Sequence, residues 1–145
     1  MSLVIDIADA VAAALNAAPA GTFDPAITAV RRVLPAFKLA DLADLKVSVV
    51  PKGVQMTGST RATSQYEIAV DIGVQKKLGK DLDAEVAALG TLVDQIADCL
   101  RRRPLSAAPF AAWVSLVNEP VYAPEHLVEQ RVFTSVLTVT YRAMR

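Results

Sequence analysis

The chain has 145 residues, with 15 basic and 15 acidic side chains, one histidine, one cysteine and 53% hydrophobic residues. That length suits one domain, 1–145, burying about two-thirds of its unfolded surface, and the composition excludes both disorder and a bilayer-spanning run of about 20 apolar residues. A net charge of zero argues against a strong electrostatic grip on nucleic acid.

The N-terminus carries no basic run, and Asp6 and Asp9 interrupt its apolar stretch. No secretory signal is expected, and synthesis in a bacterial-type cytoplasm is. A first helix is predicted over 2–18. Ser2 is placed to cap it, and Val4, Ile7, Val11, Ala14 and Leu15 form one apolar stripe. Pro19, Gly21 and Pro25 end it. The β-branched residues Ile27, Thr28, Val30 and Val33 predict a strand over 26–34. Leu45, Val47 and Val49 alternate with Lys46 and Ser48 and predict a second strand over 45–50, punctuated by Pro51, Gly53 and Gly58.

The clearest strand is the third. Tyr66, Ile68, Val70, Ile72 and Val74 alternate strictly with Gln65, Glu67, Ala69, Asp71, Gly73 and Gln75, which puts one face on a core and the other in water. The segment 54–64 before it is longer than a hairpin needs. It reads either as an extended arm continuing both strands or as a mobile tip.

A second helix is predicted over 82–102, with Leu82, Val86, Leu89, Val93, Ile96 and Leu100 along one side. Asp81 is its expected N-cap, Arg101, Arg102 and Arg103 are expected in its last turn, and Pro104 stops it. Residues 113–118 form a strand in which Trp113, Ser115 and Val117 oppose Val114 and Leu116. A loop holding Pro120, Pro124 and His126 leads to a long strand over 131–142. There Phe133, Leu137, Val139 and Tyr141 lie opposite Thr134, Val136, Thr138 and Thr140. The order α-β-β-β-α-β-β predicts an α+β domain: a mostly antiparallel sheet of about five strands packed against two helices.

Chemistry-bearing patterns are few. His126 is the only conventional neutral-pH base, with Glu125 and Glu129 nearby, but no serine or cysteine stands in a nucleophile-like setting. It reads as a loop histidine. Cys99 lies beside Asp98, and a neighbouring carboxylate raises a thiol pKa, so it reads as inert. Asp94 and Asp98 share a helix face but lack a third ligand at matching spacing, and Asp41 and Asp44 suit turn caps. No phosphate loop, dinucleotide fingerprint, HExxH or CxxC occurs. No catalytic, cofactor-binding or metal residue is therefore assigned, and an enzyme is not expected.

The chain resembles the tail terminator (tail-completion or minor tail) proteins of long-tailed phages. The likeness lies in the short first helix, Val47-Ser48-Val49-Val50-Pro51, the strand from Tyr66 to Lys77, the helix from Leu82 and the closing strand from Phe133 to Tyr141. The resemblance implies a homo-oligomeric ring of six copies that caps a finished tail tube, stops its growth and meets the head connector, without cofactor or turnover. It places the protein in the virion, assembled in the host cytoplasm. Its partners would be itself, the tail tube protein and the head–tail connector, with DNA only passing through the lumen and no membrane involved. A head–tail connector or neck protein, or a non-viral binding module, is the alternative. A closed ring needs two different complementary surfaces on each copy, and strand edges supply main-chain bonds for them. The expected contact residues are Val54, Met56 and Arg61 of the long hairpin with Val121 and Tyr122. Lys52, Lys76 and Lys77 are the expected lumen-facing bases.

Overall fold

The computed structural model describes residues 2–19, 21–23, 27–33, 44–58, 60–119 and 122–144, apart from the side chains of His126 and Gln130. Eight elements are described: α1 (Leu3–Asn16), β1 (Ala29–Arg31), β2 (Lys46–Gly58), β3 (Ser64–Lys77), α2 (Leu82–Leu100), β4 (Ala112–Asn118), α3 (Pro124–Gln130) and β5 (Val132–Met144). They form a five-stranded sheet in the order β1-β2-β3-β5-β4. The α+β class holds. The sheet is mixed, because β1 runs parallel to β2 while every other neighbour is antiparallel.

Alternation in β3 and β5 sets the layers. Ile68, Val70, Ile72 and Val74 face Tyr141, Val139, Leu137 and Ser135 across the ladder, and all are buried. On this face α1 contributes Ile7, Val11 and Leu15, and α2 contributes Leu89, Leu92, Val93 and Ile96 to the same core. The opposite face bears no described helix. It carries Glu67, Asp71 and Gln75 of β3 beside Arg142, Thr138 and Thr134 of β5.

Several predicted boundaries move, each for a local reason. The strand predicted over 26–34 shrinks to β1, while 24–26 and 34–43, and with them Asp41, lie outside the described residues. β1 is held at its start by a side chain acting as a strand neighbour. Asn16 Nδ2 donates to the Ala29 carbonyl at 2.8 Å, and the Ala29 N–H donates to Asn16 Oδ1 at 2.7 Å. Ser2 occupies the N-cap position of α1, but its hydroxyl makes no capping bond. In α2 the expected cap is present: Asp81 Oδ1 accepts from the Ala84 N–H at 3.3 Å. Arg101, Arg102 and Arg103 fall beyond the helix rather than in its last turn, and Arg102 turns the chain in the left-handed region (φ 56°).

The largest change is β2, which runs through Pro51 and Gly53 to Gly58. Lys52 is an extra residue bulged between Pro51 opposite Val70 and Gly53 opposite Ala69. The 54–64 segment is thus strand on both sides, the extended-arm reading, with 60–63 as the described part of the connection. At the start of β2, Ser48 is fully buried rather than solvent-facing, and its Oγ has no hydrogen-bond partner. Gly73 lies directly opposite, and a Cβ there would stand 3.1 Å from that oxygen, so this row of the sheet has room for one side chain only.

β4 also contains a bulge. Trp113 faces Tyr141 and Ser115 faces Thr140, leaving Val114 extra. Trp113 therefore shares a face with Leu116 and Asn118, not with Ser115 and Val117 as simple alternation predicted. Pro124–Gln130, expected as loop, is the short helix α3.

Candidate functional site

The expected contact residues lie at the two ends of the sheet. Val54 and Met56 sit in the distal half of β2, opposite Ile68 and Tyr66. Their side chains share the phase of the core face but are 46% and 59% exposed. Arg61 is exposed in the tip, where Thr60 orders the turn. Its Oγ1 accepts from the N–H groups of Ala62 (3.2 Å) and Thr63 (3.0 Å) and pairs with Thr63 Oγ1 at 2.7 Å. Tyr122 is exposed beyond β4, on the far side of the sheet from the hairpin, and Val121 lies outside the described residues. The four described residues are therefore not one patch. They lie toward two separate ends of the sheet.

Backbone direction shows what those edges offer. The Arg32 N–H donates to the Val49 carbonyl at 2.9 Å, so Val49 turns its polar groups away from β3. Along an antiparallel ladder the inward and outward residues alternate. Counted through the bulge, Pro51, Val54 and Met56 also face outward. This explains why a proline is tolerated there: its missing N–H falls on the edge side. β1 covers β2 only over Val47 to Val49, and beyond it the outward groups of the distal half meet no described strand. At the other edge, the Glu119 N–H donates to the Val136 carbonyl at 3.0 Å, which leaves Leu116 and Asn118 facing away from β5. Val117 there is 51% exposed.

The expected basic residues divide similarly. Lys52 pairs loosely with Asp71 at 3.9 Å, and Asp71 also accepts from Thr138 Oγ1 at 2.6 Å. Lys77 shares that open face but lies six residues further along β3, roughly 20 Å away at strand rise. Lys76 has the opposite phase and turns its Nζ to the Lys77 carbonyl. Sequence alternation around Lys76 and Lys77 carried this split. The open face also holds the Arg142–Glu67 pair at 3.0 Å, which makes it a mixed-charge surface rather than a basic track.

No group of three potential metal ligands occurs among the described residues, and none of their helices is long and apolar enough to cross a membrane. His126 falls on α3, and its side chain is outside the description. Cys99 is buried. Burial pushes its thiol pKa up and the nearby Arg103 pulls it down, so the cause is desolvation rather than the neighbouring carboxylate. It borders a groove of about 200 Å³ between the C-terminal ends of α1 and α2.

Tyr141 is fully buried, and its hydroxyl and the Trp113 Nε1 both lack a hydrogen-bond partner. Burial, with a smaller contribution from Cys99, pushes the Tyr141 phenol well above its ordinary value. The unfolded chain therefore gives up this proton near pH 10 while the folded chain keeps it. Stability from this group is complete below pH 10 and falls by about 1.4 kcal/mol per pH unit above it. Tyr141→Phe should leave neutral-pH stability unchanged or slightly higher and flatten that alkaline decline, as read by urea unfolding across pH 7–11.

No protein-family model matches the chain, and no curated protein is significantly similar to it in sequence.

Proposed function

We propose that this chain is a virion assembly protein that caps a phage tail tube as a homo-oligomeric ring and provides the joint to the head connector. The observation that supports this reading best is the distal β2–β3 hairpin. From Lys52 to Gly58 every residue of β2 is exposed, including Val54 and Met56, although the segment is regular strand. A monomer that must stay single blunts such an edge with charges along it, and here Lys52 alone does so. The opposite edge, Ala-Trp-Val-Ser-Leu-Val-Asn in β4, carries no charge at all. The distal half of β2 and the far side of β4, which no described strand covers, fit a contact that repeats head to tail and closes. The protein then works by binding geometry, without cofactor or turnover, in the tail or neck of the particle.

The test is assembly of purified tail tube protein with and without this chain. On this reading the chain adds to one end of each tube in electron micrographs, halts elongation and has the mass of a closed multimer by light scattering. Binding to portal rings but not to tubes would move it to the connector role. A strict monomer that binds neither overturns the reading.

A further inference from the structure

We infer that the turn between α2 and β4 is a receptor for a short acidic segment of a partner protein, held in the groove walled by Arg102, Arg103, Pro104, Pro109 and Trp113. This site stands apart from the ring reading, because it needs no strand pairing between copies.

The charge there is surplus to the fold. Compensation of the α2 dipole would explain Arg101, Arg102 and Arg103 inside the last helical turn, but they follow it. All three are exposed, and none has a side-chain hydrogen bond or ion pair among the described residues. Arg102 also holds φ at 56°, a conformation that glycine takes freely and arginine takes under strain. A strained, charged residue on an open turn points to use rather than to packing.

The turn is nonetheless firmly built. Leu105, Ala108 and Ala111 are buried at every third position and anchor it to the core. Between them the Ala108 N–H donates to the Leu105 carbonyl and the Ala111 N–H to the Ala108 carbonyl, both at 3.1 Å. The groove is therefore preformed, and a ligand entering it orders little of the chain.

Its chemistry selects the ligand. The groove encloses about 360 Å³, and no carboxylate lines it among the described residues. Every polar side chain in that lining is a donor: the two guanidiniums and the Trp113 indole, whose Nε1 N–H has no acceptor. A carboxylate seated between them would supply acceptors to both kinds of donor. Pro104, Pro109 and Trp113, with Phe110 57% exposed beside them, offer apolar surface to the stems of an acidic peptide. A bare inorganic anion leaves that surface unused. A nucleic-acid strand is disfavoured for another reason. Asp94 and Asp98 stand exposed in the last two turns of α2, where they would repel an extended polyanion but not a short segment that ends in the groove.

Trp113 is the chain's only tryptophan, so its fluorescence reports the groove directly. Titration with end-blocked tetraglutamate should give a saturable change, matched by calorimetry and lost at high salt. End-blocked tetraglutamine, or inorganic phosphate at equal concentration, should give none. Arg102→Gly combined with Arg103→Gln should melt close to the parent, because glycine accepts the left-handed turn, yet bind the peptide roughly tenfold more weakly. Failure of tetraglutamate to bind, or equal binding by the folded double variant, overturns the site. Phosphate binding as tightly as the peptide overturns it too, as does tighter binding of a short DNA duplex. Light scattering closes the remaining route: if the double variant loses self-association instead of peptide binding, the occupant is a second copy and the inference fails.

Discussion

Introducing lysine at both Val54 and Met56 is expected to abolish the multimer while leaving the folded monomer essentially unchanged. Both side chains are about half exposed in the single chain, and surface changes of this kind cost within about 0.5 kcal/mol. In the proposed ring, however, the two lysines would place charge on the exposed hairpin edge where another copy docks, which disfavours both edge pairing and burial. Light scattering should show the mass fall from ring to monomer, with a Tm within about 2 °C of the parent. The same variant should no longer limit tail-tube length. Retention of the ring by the folded double variant would show that the hairpin edge lies outside the interface.

Ile72→Ala should have the largest effect on folding itself. Ile72 is fully buried at the centre of the sheet, opposite Val49 on one side and Leu137 on the other, beneath the packed helices. Truncation removes three carbons from a site where three buried strands leave little room to collapse, so the cost is about 3–4 kcal/mol. For a domain whose total stability is about 5–15 kcal/mol, that should lower Tm by roughly 10 °C or more in a calorimetric scan. A loss below about 1 kcal/mol would mean that this part of the core is loosely packed.

The sequence revealed what strict periodicity encodes. The alternation from Tyr66 to Val74 and from Phe133 to Tyr141 located the two central strands and their buried faces, and the apolar steps from Leu82 to Leu100 located α2 and its inward side. Illegible were the places where one residue changes the count. Pro51 and Gly53 read as the end of a strand, yet a bulge at Lys52 and an edge-facing proline let β2 continue to Gly58. The Val114 bulge reversed which side chains of β4 share a face with Trp113. β1 lost most of its predicted length among the described residues, because its ladder with β2 spans only Ala29 to Arg31.

The candidate site follows the same division. The long connection flanked by Val54 and Met56 was legible as unusual, but that the distal half of β2 lies across the sheet from β4 depends on strand order, which no local pattern carries. Likewise, Lys52, Lys76 and Lys77 looked like one basic group in sequence. Their separation follows from strand phase and from the distance along β3.

The Asn16 clasp on Ala29 divides β2 into two unequal parts. By anchoring β1 at the proximal end of β2, with Arg31 also tied to Asp9 at 2.8 Å, it covers the outward groups of Val47 to Val49 and leaves those from Pro51 onward to no described strand. In the proposed ring, only that second part could serve as a seam between copies. Three residues of parallel strand would thereby restrict where such a seam forms.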